Sequence, residues 1–505
     1  MGVEQHEVER IVAARGRAAD EARPQALAAV RDAGALSARE RLAALFDDGV
    51  EALEYGILAA AAVDGVADAP ADGLIGALGR VHGAPVVAAA YDRTVLDGTQ
   101  SDRNQRKLAR LVTLATMRRL PFVCFVEGDG ARPGDPLPPP PVVIGPRARW
   151  DVYDGLAEMN GLVPTVAVVT GRVLDGNAGI AFLADCVIAV RGAEFGSRDR
   201  ATGAVVTRGV EVDAADGHVD LLAEDEDEAI AAVRRYLAQV LLRSAPWEQD
   251  PGYEAIGEVI PDNRRRAYDM RRIVRAFADR DSIFELGAGW ATSMITAFAR
   301  IEGRPIGIFA NQPLSPLAGA IDAAAADKAA RFIELCDAYE LPLVSFIDNP
   351  GYMVGPQAER DGIARHHARP LAALQHRTVP LCSVQLRKAY GLGPYAMSGY
   401  GTSRIQPELR LAWPSVESGG MSLEGAAFLV KRKEIQAAST PEEARAIRDH
   451  YAETMRDATT GLRAGQSYSF DDVVLPAETR RRIADVLAAV PTPIPTVKKH
   501  TVDLR

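Results

Sequence analysis

One stretch of this chain is written twice, about 220 residues apart. Arg80-Val81-His82-Gly83-Ala84-Pro85 returns as Arg300-Ile301-Glu302-Gly303-Arg304-Pro305, at an offset of 220. Lys107-Leu108-Ala109-Arg110-Leu111 returns as Lys328-Ala329-Ala330-Arg331-Phe332, at an offset of 221. Leu120-Pro121-Phe122-Val123-Cys124-Phe125-Val126-Glu127-Gly128-Asp129-Gly130 returns at the same 221 as Leu341-Pro342-Leu343-Val344-Ser345-Phe346-Ile347-Asp348-Asn349-Pro350-Gly351. Repeats of 20–50 residues mark solenoids. A period this long is a whole domain, so the chain is expected to fold as two copies of one architecture.

Each copy reads as strand, strand, helix, strand and a glycine turn. In the first copy two short strands flank His82-Gly83, an apolar-periodic helix covers Lys107 to Met117, and a β-rich run covers Pro121 to Val126. Further strands at Pro164–Val169 and Cys186–Val190 enclose a helix over Asp175–Leu183. Strands alternating with helices imply an α/β fold with largely parallel pairing. Ser37 with Glu40 forms a capping-box pattern near the start. The expected boundaries are a first domain over 1–245, a linker over 246–263 marked by Pro246, Pro251, Gly252 and Pro261, and a second domain over 264–505. Pro136 and Pro138 to Pro141 mark a surface excursion, Phe195 to Arg200 reads as a loop, and the tail from Val490 has no core signal.

Composition excludes several functions. Net charge is −10 with no long basic run, which argues against a nucleic-acid partner. No apolar run reaches the ~18–20 residues of a membrane helix, and the N-terminus lacks the apolar core of a signal peptide. Four widely spaced cysteines without a C-x-x-C pair argue against zinc and fit a cytoplasmic protein. No G-x-S-x-G elbow, H-E-x-x-H helix, Walker loop or G-x-G-x-x-G fingerprint occurs. No metal site is expected.

What remains is a pair of glycine turns in each copy. The first follows an apolar strand that ends in an acid: Glu127-Gly128-Asp129-Gly130 and Asp348-Asn349-Pro350-Gly351. The second opens a helix: counted from Val163-Pro164 and Val379-Pro380, Asp175-Gly176-Asn177 matches Gly391-Leu392-Gly393. Glycine permits close backbone approach and positive φ. A helix start offers unpaired N–H groups. Two such turns facing one carbonyl can form an oxyanion hole.

Over nearly the whole chain these residues resemble the carboxyltransferase component of biotin-dependent acyl-CoA carboxylases. The stretches that carry the resemblance are Phe125 to Asp135, Gly319 to Asp322, Ala326 to Phe332 and Asn349 to Gly355. The most specific is Arg387-Lys388-Ala389-Tyr390-Gly391-Leu392-Gly393, followed by Ala412-Trp413-Pro414 and Gly419 to Ala426. The wording is closest to the carboxyltransferase part of single-chain long-chain acyl-CoA carboxylases.

The resemblance implies two tandem crotonase-like (ClpP/crotonase) β-β-α superhelix domains. It implies transfer of a carboxyl group from carboxybiotin to the α-carbon of an acyl-CoA through an enolate, with no protein base. Gly130 and Ala131 then serve the thioester, with Gly128, Asp129 and Gly176 around it and Arg106 and Lys107 as candidates for CoA phosphates. Gly351, Tyr352, Gly391, Leu392 and Gly393 serve biotin, with Leu392 and Gly393 as the donors. Tyr395 falls where the family tunes acyl-pocket size. The chain has no biotin-acceptor Met-Lys-Met, so biotin is expected on a carrier or biotin carboxylase partner. The resemblance also implies a homo-oligomer, a hexamer built as a trimer of dimers. Three positions depart from the family: Asp129 where glycine is usual, Asp175 at a small position, and Phe195-Gly196-Ser197-Arg198-Asp199-Arg200 in place of a Gly-rich loop. All three fall in the first copy. They leave open a biotin-independent decarboxylase, another enolate-forming enzyme on a CoA or carrier-protein thioester, and a non-catalytic assembly subunit.

Overall fold

The computed structural model describes residues 3–49, 51–61, 69–133, 148–199, 201–264, 266–399, 406–456, 460–491 and 500–504. The proline excursion at 136–141 and Arg200 lie outside them. By its contacts the chain divides into one unit of Met1–Leu241 with Val497–Leu504, and a second of Leu242–Thr496.

The first unit is built on a nine-stranded sheet among the described residues. Its path runs Leu53–Tyr55, Leu74–Val81, Ala84–Tyr91, Phe122–Gly128, Thr165–Leu174, Cys186–Val190 and Leu221–Ala223. The first three strands pair antiparallel, and from Ala84–Tyr91 onward the path is parallel. The second unit repeats this order with Phe284–Glu285, Met294–Ile301, Arg304–Asn311, Leu343–Asn349, Leu381–Tyr390, Leu409–Ala412 and Asp472–Val473. Phe122–Gly128 and Leu343–Asn349 are buried at every position. Strands covered on both faces need apolar side chains on both, which is why these runs are nearly continuous in the sequence.

The duplication extends to single hydrogen bonds. His82 and Gly83 turn the first hairpin with φ of 52° and 76°, and Glu302 and Gly303 turn the second with 51° and 79°. Positive φ at both central residues matches the twist of the flanking strands. In each unit one aspartate accepts both turn N–H groups: Asp47 from His82 and Gly83, Asp279 from Glu302 and Gly303. The helix after the hairpin covers Asp102–Arg118 or Ala323–Ala338, capped by Ser101 or Asp322. The capping box expected at Ser37 and Glu40 is also formed.

Three expectations change. The stretch 246–263 is not a bare connector, because Pro251–Val259 buries Tyr253, Ile256 and Val259 in the second core. Residues 195–198 are not loop: Glu194–Arg198 is a strand, parallel to Arg172–Leu174 and antiparallel to Val205–Gly209. Phe195 holds it down, with its ring centroid 4.4 Å from that of Phe182. The tail also finds a place, since Val502 is buried and its N–H donates to Asn160 Oδ1 at 2.7 Å. Among the described residues no helix is long and apolar enough to cross a membrane.

Candidate active site

The glycine turns meet in the same way in each unit. In the first, the pairing of Phe122–Gly128 with Thr165–Leu174 shifts register between Val126 and Gly128. In the second, Leu343–Asn349 shifts against Leu381–Tyr390 between Ile347 and Asn349. Such irregularities re-aim the chain at a strand end. Beyond the shift, Gln100 N–H donates to Gly130 O at 2.7 Å and Arg132 N–H to Gln100 O at 2.8 Å. The second unit repeats both bonds 221 residues on, from Ile321 to Gly351 O at 3.1 Å and from Met353 to Ile321 O at 2.9 Å. The segment preceding the helix therefore clamps the turn from one side.

The second turn closes from the other side. Gly130 adopts φ +76°, and a Cβ there would lie 2.9 Å from Asp175 Oδ2. A Cβ on Gly176 would lie 2.4 Å from Gln100 Oε1 and 2.5 Å from Tyr153 Oη. In the second unit a Cβ on Gly393 would lie 2.5 Å from Asn349 Oδ1 and 3.0 Å from Gly351 Cα. All three glycines are needed for close approach, and Gly130 for its conformation as well.

The turns leave donors free. Among the described residues the N–H groups of Gly130 and Ala131 have no hydrogen-bond partner, nor do those of Leu392 and Gly393. Gly391 N–H is occupied by Gly419 O at 3.0 Å, and Gly351 N–H by Asn349 Oδ1 at 2.9 Å. Asp129 N–H is directed to Asp97 O at 3.3 Å. Gly351, Gly391 and Asp129 thus shape their turns, while Gly130, Ala131, Leu392 and Gly393 supply free donors. Gly176 starts the helix Gly176–Phe182, and Gly393 starts Gly393–Ser398.

Behind each turn lies a buried acid. Glu127 takes Arg41 at 2.8 Å, and the same guanidinium binds Glu226 at 2.7 Å. Asp348 takes Arg387 at 2.9 Å. These acids anchor the strand ends and point to structural work rather than proton transfer.

Two residues named from the sequence have other surroundings than expected. Lys107 is not placed for a phosphate: it is 8% exposed, and its Nζ donates to Gly56 O at 3.2 Å and Leu74 O at 2.5 Å. Burial lowers its pKa to about 8. Its counterpart Lys328 likewise donates to the carbonyls of Gly287, Trp290 and Met294. The pattern Lys-x-x-Arg on an apolar helix hid this, because a lysine can bury its ammonium wherever strand ends present unpaired carbonyls. Arg106 remains outside, with its side chain 67% exposed and a 2.7 Å bridge to Asp102. The Asp129 carboxylate does not hang over the turn as a lone charge. It is bidentate to Arg172, through Nε at 2.9 Å and Nη2 at 2.6 Å, and takes Arg198 Nη2 at 3.0 Å. Sequence reasoning missed both partners, although an arginine inside the apolar run Thr165–Leu174 is a visible irregularity.

On the second unit Tyr352 stacks on His367, with ring centroids 3.3 Å apart, and burial raises its pKa. Tyr395 lies on the helix after the glycine turn and lines a cavity of about 800 Å³ together with Gly391, Pro394, Gly419 and Gly420. Among the described residues no cluster of three His, Cys, Asp or Glu could hold a metal ion.

Comparison with known proteins agrees along nearly the full length. The model of the carboxyl transferase domain matches residues 29–500. The methylmalonyl-CoA carboxyltransferase 12S subunit of Propionibacterium freudenreichii subsp. shermanii is 33% identical over 452 residues, covering 85% of this chain and 84% of its own. The crystal structure of transcarboxylase 12S with methylmalonyl-coenzyme A, described as a hexamer, superposes with a TM-score of 0.84 at 30% identity, over 99% of both chains. A single-chain, multi-domain long-chain acyl-CoA carboxylase gives a TM-score of 0.84 at 36% identity, covering 95% of this chain. The present chain spans 50% of that protein's length.

Proposed function

The chain belongs to the carboxyl transferase domain family, and we propose that it is the carboxyltransferase component of a biotin-dependent acyl-CoA carboxylase, with the thioester held by the first unit and biotin by the second. Its fold is the tandem crotonase-like one. The observation that supports two anion sites is the duplicated pair of abutting turns, each with N–H donors that no other described residue uses.

Carboxybiotin, brought by a carrier on a partner chain, supplies the carboxyl group and the proton acceptor. The protein's contribution is electrostatic and positional. As the α-carbon of the acyl-CoA loses its proton, negative charge grows on the thioester oxygen. The Gly130 and Ala131 N–H groups, with the helix start at Gly176 beside them, are fixed before that charge appears, so little reorganisation is needed. Leu392 and Gly393 offer the corresponding donors to the ureido oxygen. The residues fit the cofactor there, because Gly393 leaves room that a Cβ would fill. Arg106 is the remaining candidate for CoA phosphate contact. Tyr395, which lines a cavity of the second unit, is the candidate that bears on acyl-chain length.

The partners are a biotin carboxyl carrier with its biotin carboxylase, and further copies of this chain in a hexamer, as described for transcarboxylase 12S. Four free, buried cysteines suit a reducing cytoplasm. The test supplies the full-length protein with free biotin and carboxyl-labelled malonyl- or methylmalonyl-CoA. Label is expected to move to biotin, and this transfer should fall at least about a hundredfold in G393A, whose Cβ would close the biotin-side turn. No transfer with any carboxylated CoA thioester in the presence of saturating biotin would sink the assignment.

A further inference from the structure

The two copies differ most in charge at one corner of the first turn. Asp129 corresponds to Pro350 at the offset of 221. Asp175 corresponds to Gly391 at the offset of 216 that relates Thr165–Leu174 to Leu381–Tyr390. Arg172 pairs across its strand with Glu194, as Lys388 pairs with Glu417. Counting four residues on from each glutamate sets Arg198 against Met421. The first copy therefore carries two carboxylates and two guanidiniums where the second carries proline, glycine, one lysine and a methionine.

The extra charges are joined. Arg172 binds Asp129 bidentately and Arg198 Nη2 binds the same carboxylate at 3.0 Å. Arg198 N–H donates to Asp175 Oδ1 at 3.1 Å. Asp175 is held at φ +50°, where its counterpart Gly391 has φ +63°. A non-glycine residue keeps such a conformation only when its surroundings hold it, and this contact is part of that hold. The Asp129 side chain is 15% exposed, while those of Arg172 and Arg198 are 47% and 39% exposed. The arginines thus cover the carboxylate from the solvent side.

Asp129 immediately precedes the two residues whose N–H groups are free. An uncompensated carboxylate there would oppose negative charge growing on a thioester oxygen. We propose that Arg172 and Arg198 are positioning residues that tie down and neutralise Asp129, so that the first copy tolerates acidic residues in its oxyanion turn. This rests on assigning the thioester to the first unit. Neither arginine need touch the substrate, and both act through the charge they cancel.

The test is a charge-balance series on the full-length protein, using label transfer between methylmalonyl- or malonyl-CoA and free biotin. R172A and R198A are each expected to lower kcat about tenfold, with KM changed less than about threefold. R172K and R198K, which keep the charge, should remain within about threefold of the native rate. D129N/R172A should recover most of the rate that R172A loses, because the charge needing cancellation has gone. An undiminished kcat in both alanine variants overturns the proposal, as does a D129N/R172A variant as slow as R172A. A loss that appears only in KM also overturns it, since it would place the arginines on the substrate. If R172A fails to fold, R172Q against R172K makes the same comparison of neutral with charged. Inactivity of the native chain would count against the carboxyltransferase assignment. Altered variants of an active chain address the charge proposal alone.

Discussion

The two copies keep one backbone plan and exchange the side chains that make it work. Where the turns abut, each copy pairs a glycine with an asparagine, but on opposite sides. In the first, Gly128 lies on the strand and Asn177 on the helix, with a Gly128 Cβ falling 3.0 Å from Asn177 Nδ2. In the second, Asn349 lies on the strand and Gly393 on the helix, with a Gly393 Cβ falling 2.5 Å from Asn349 Oδ1. The amide does local work in both, donating to Glu127 O at 2.9 Å in one and accepting from Gly351 N–H at 2.9 Å in the other. The buried acid behind the turn is likewise kept while its partner moves, from Arg41 on the helix Ala38–Leu45 to Arg387 on the next strand. A duplicated fold thus constrains volume and hydrogen-bond capacity at a contact more tightly than it constrains which element supplies them.

The anchoring acids give the largest effect and the sharpest contrast. Arg41 serves two buried carboxylates, whereas Arg387 serves Asp348 and the carbonyl of Arg266 at 3.0 Å. Removing one partner of a buried pair costs about 3–5 kcal/mol. Chemical denaturation should therefore show both R41A and R387A strongly destabilised, with R41A the worse. Equal losses would mean that Glu226 does not depend on Arg41.

The glycine–asparagine exchange comes next. G393N should lose about 2–3 kcal/mol by crowding Asn349. N349G/G393N should regain much of it, giving a coupling that a double-mutant cycle measures. The mirrored G128N/N177G should not recover, because Gly128 has φ +126° and asparagine fits that conformation poorly. Recovery in both copies would show that backbone conformation does not distinguish them.

Smaller effects follow from the matched lysines. K328M takes the ammonium from the carbonyls of Trp290 and Met294 and K107M from that of Leu74, while Gly287 O keeps Trp290 N–H and Gly56 O keeps Ala59 N–H. Each should cost about 1–3 kcal/mol, with K328M the larger. The pKa of Lys107 is lowered from 10.5 to about 8 by burial. Between those values the unfolded chain holds a proton that the folded chain has released. Stability should therefore rise from about pH 8 to pH 10.5 and lose that rise in K107M. A slope that survives in K107M would assign it to another group. The smallest change expected is deletion of residues 500–505. Loss of Val502 and its bond to Asn160 should lower stability by about 1–2 kcal/mol, measured as a shift in the denaturation midpoint.

The repeat at offsets of 220 and 221, the hairpin turn residues and the strand runs ending in acid and glycine were all legible in the sequence. These features are local: side-chain periodicity, positive φ and helix starts act over a few residues, and a repeat displays them twice. The family motifs supplied the chemistry that geometry alone left open.

What the tertiary structure decided lies between segments far apart in the chain. Asp129 finds Arg172 and Arg198 at separations of 43 and 69 residues, and nothing in the local pattern says that strand pairing will gather them. Lys107 goes inward because the carbonyls of Leu74 and Gly56 wait 33 and 51 residues away. The supposed connector joins a core because Tyr253, Ile256 and Val259 meet apolar surface from elsewhere in the chain. Sequence alone set two copies of one fold with a glycine turn in each. The assembled structure set what each charge beside those turns can do, because the energy of a charge depends on its neighbours in space and on how much water they exclude.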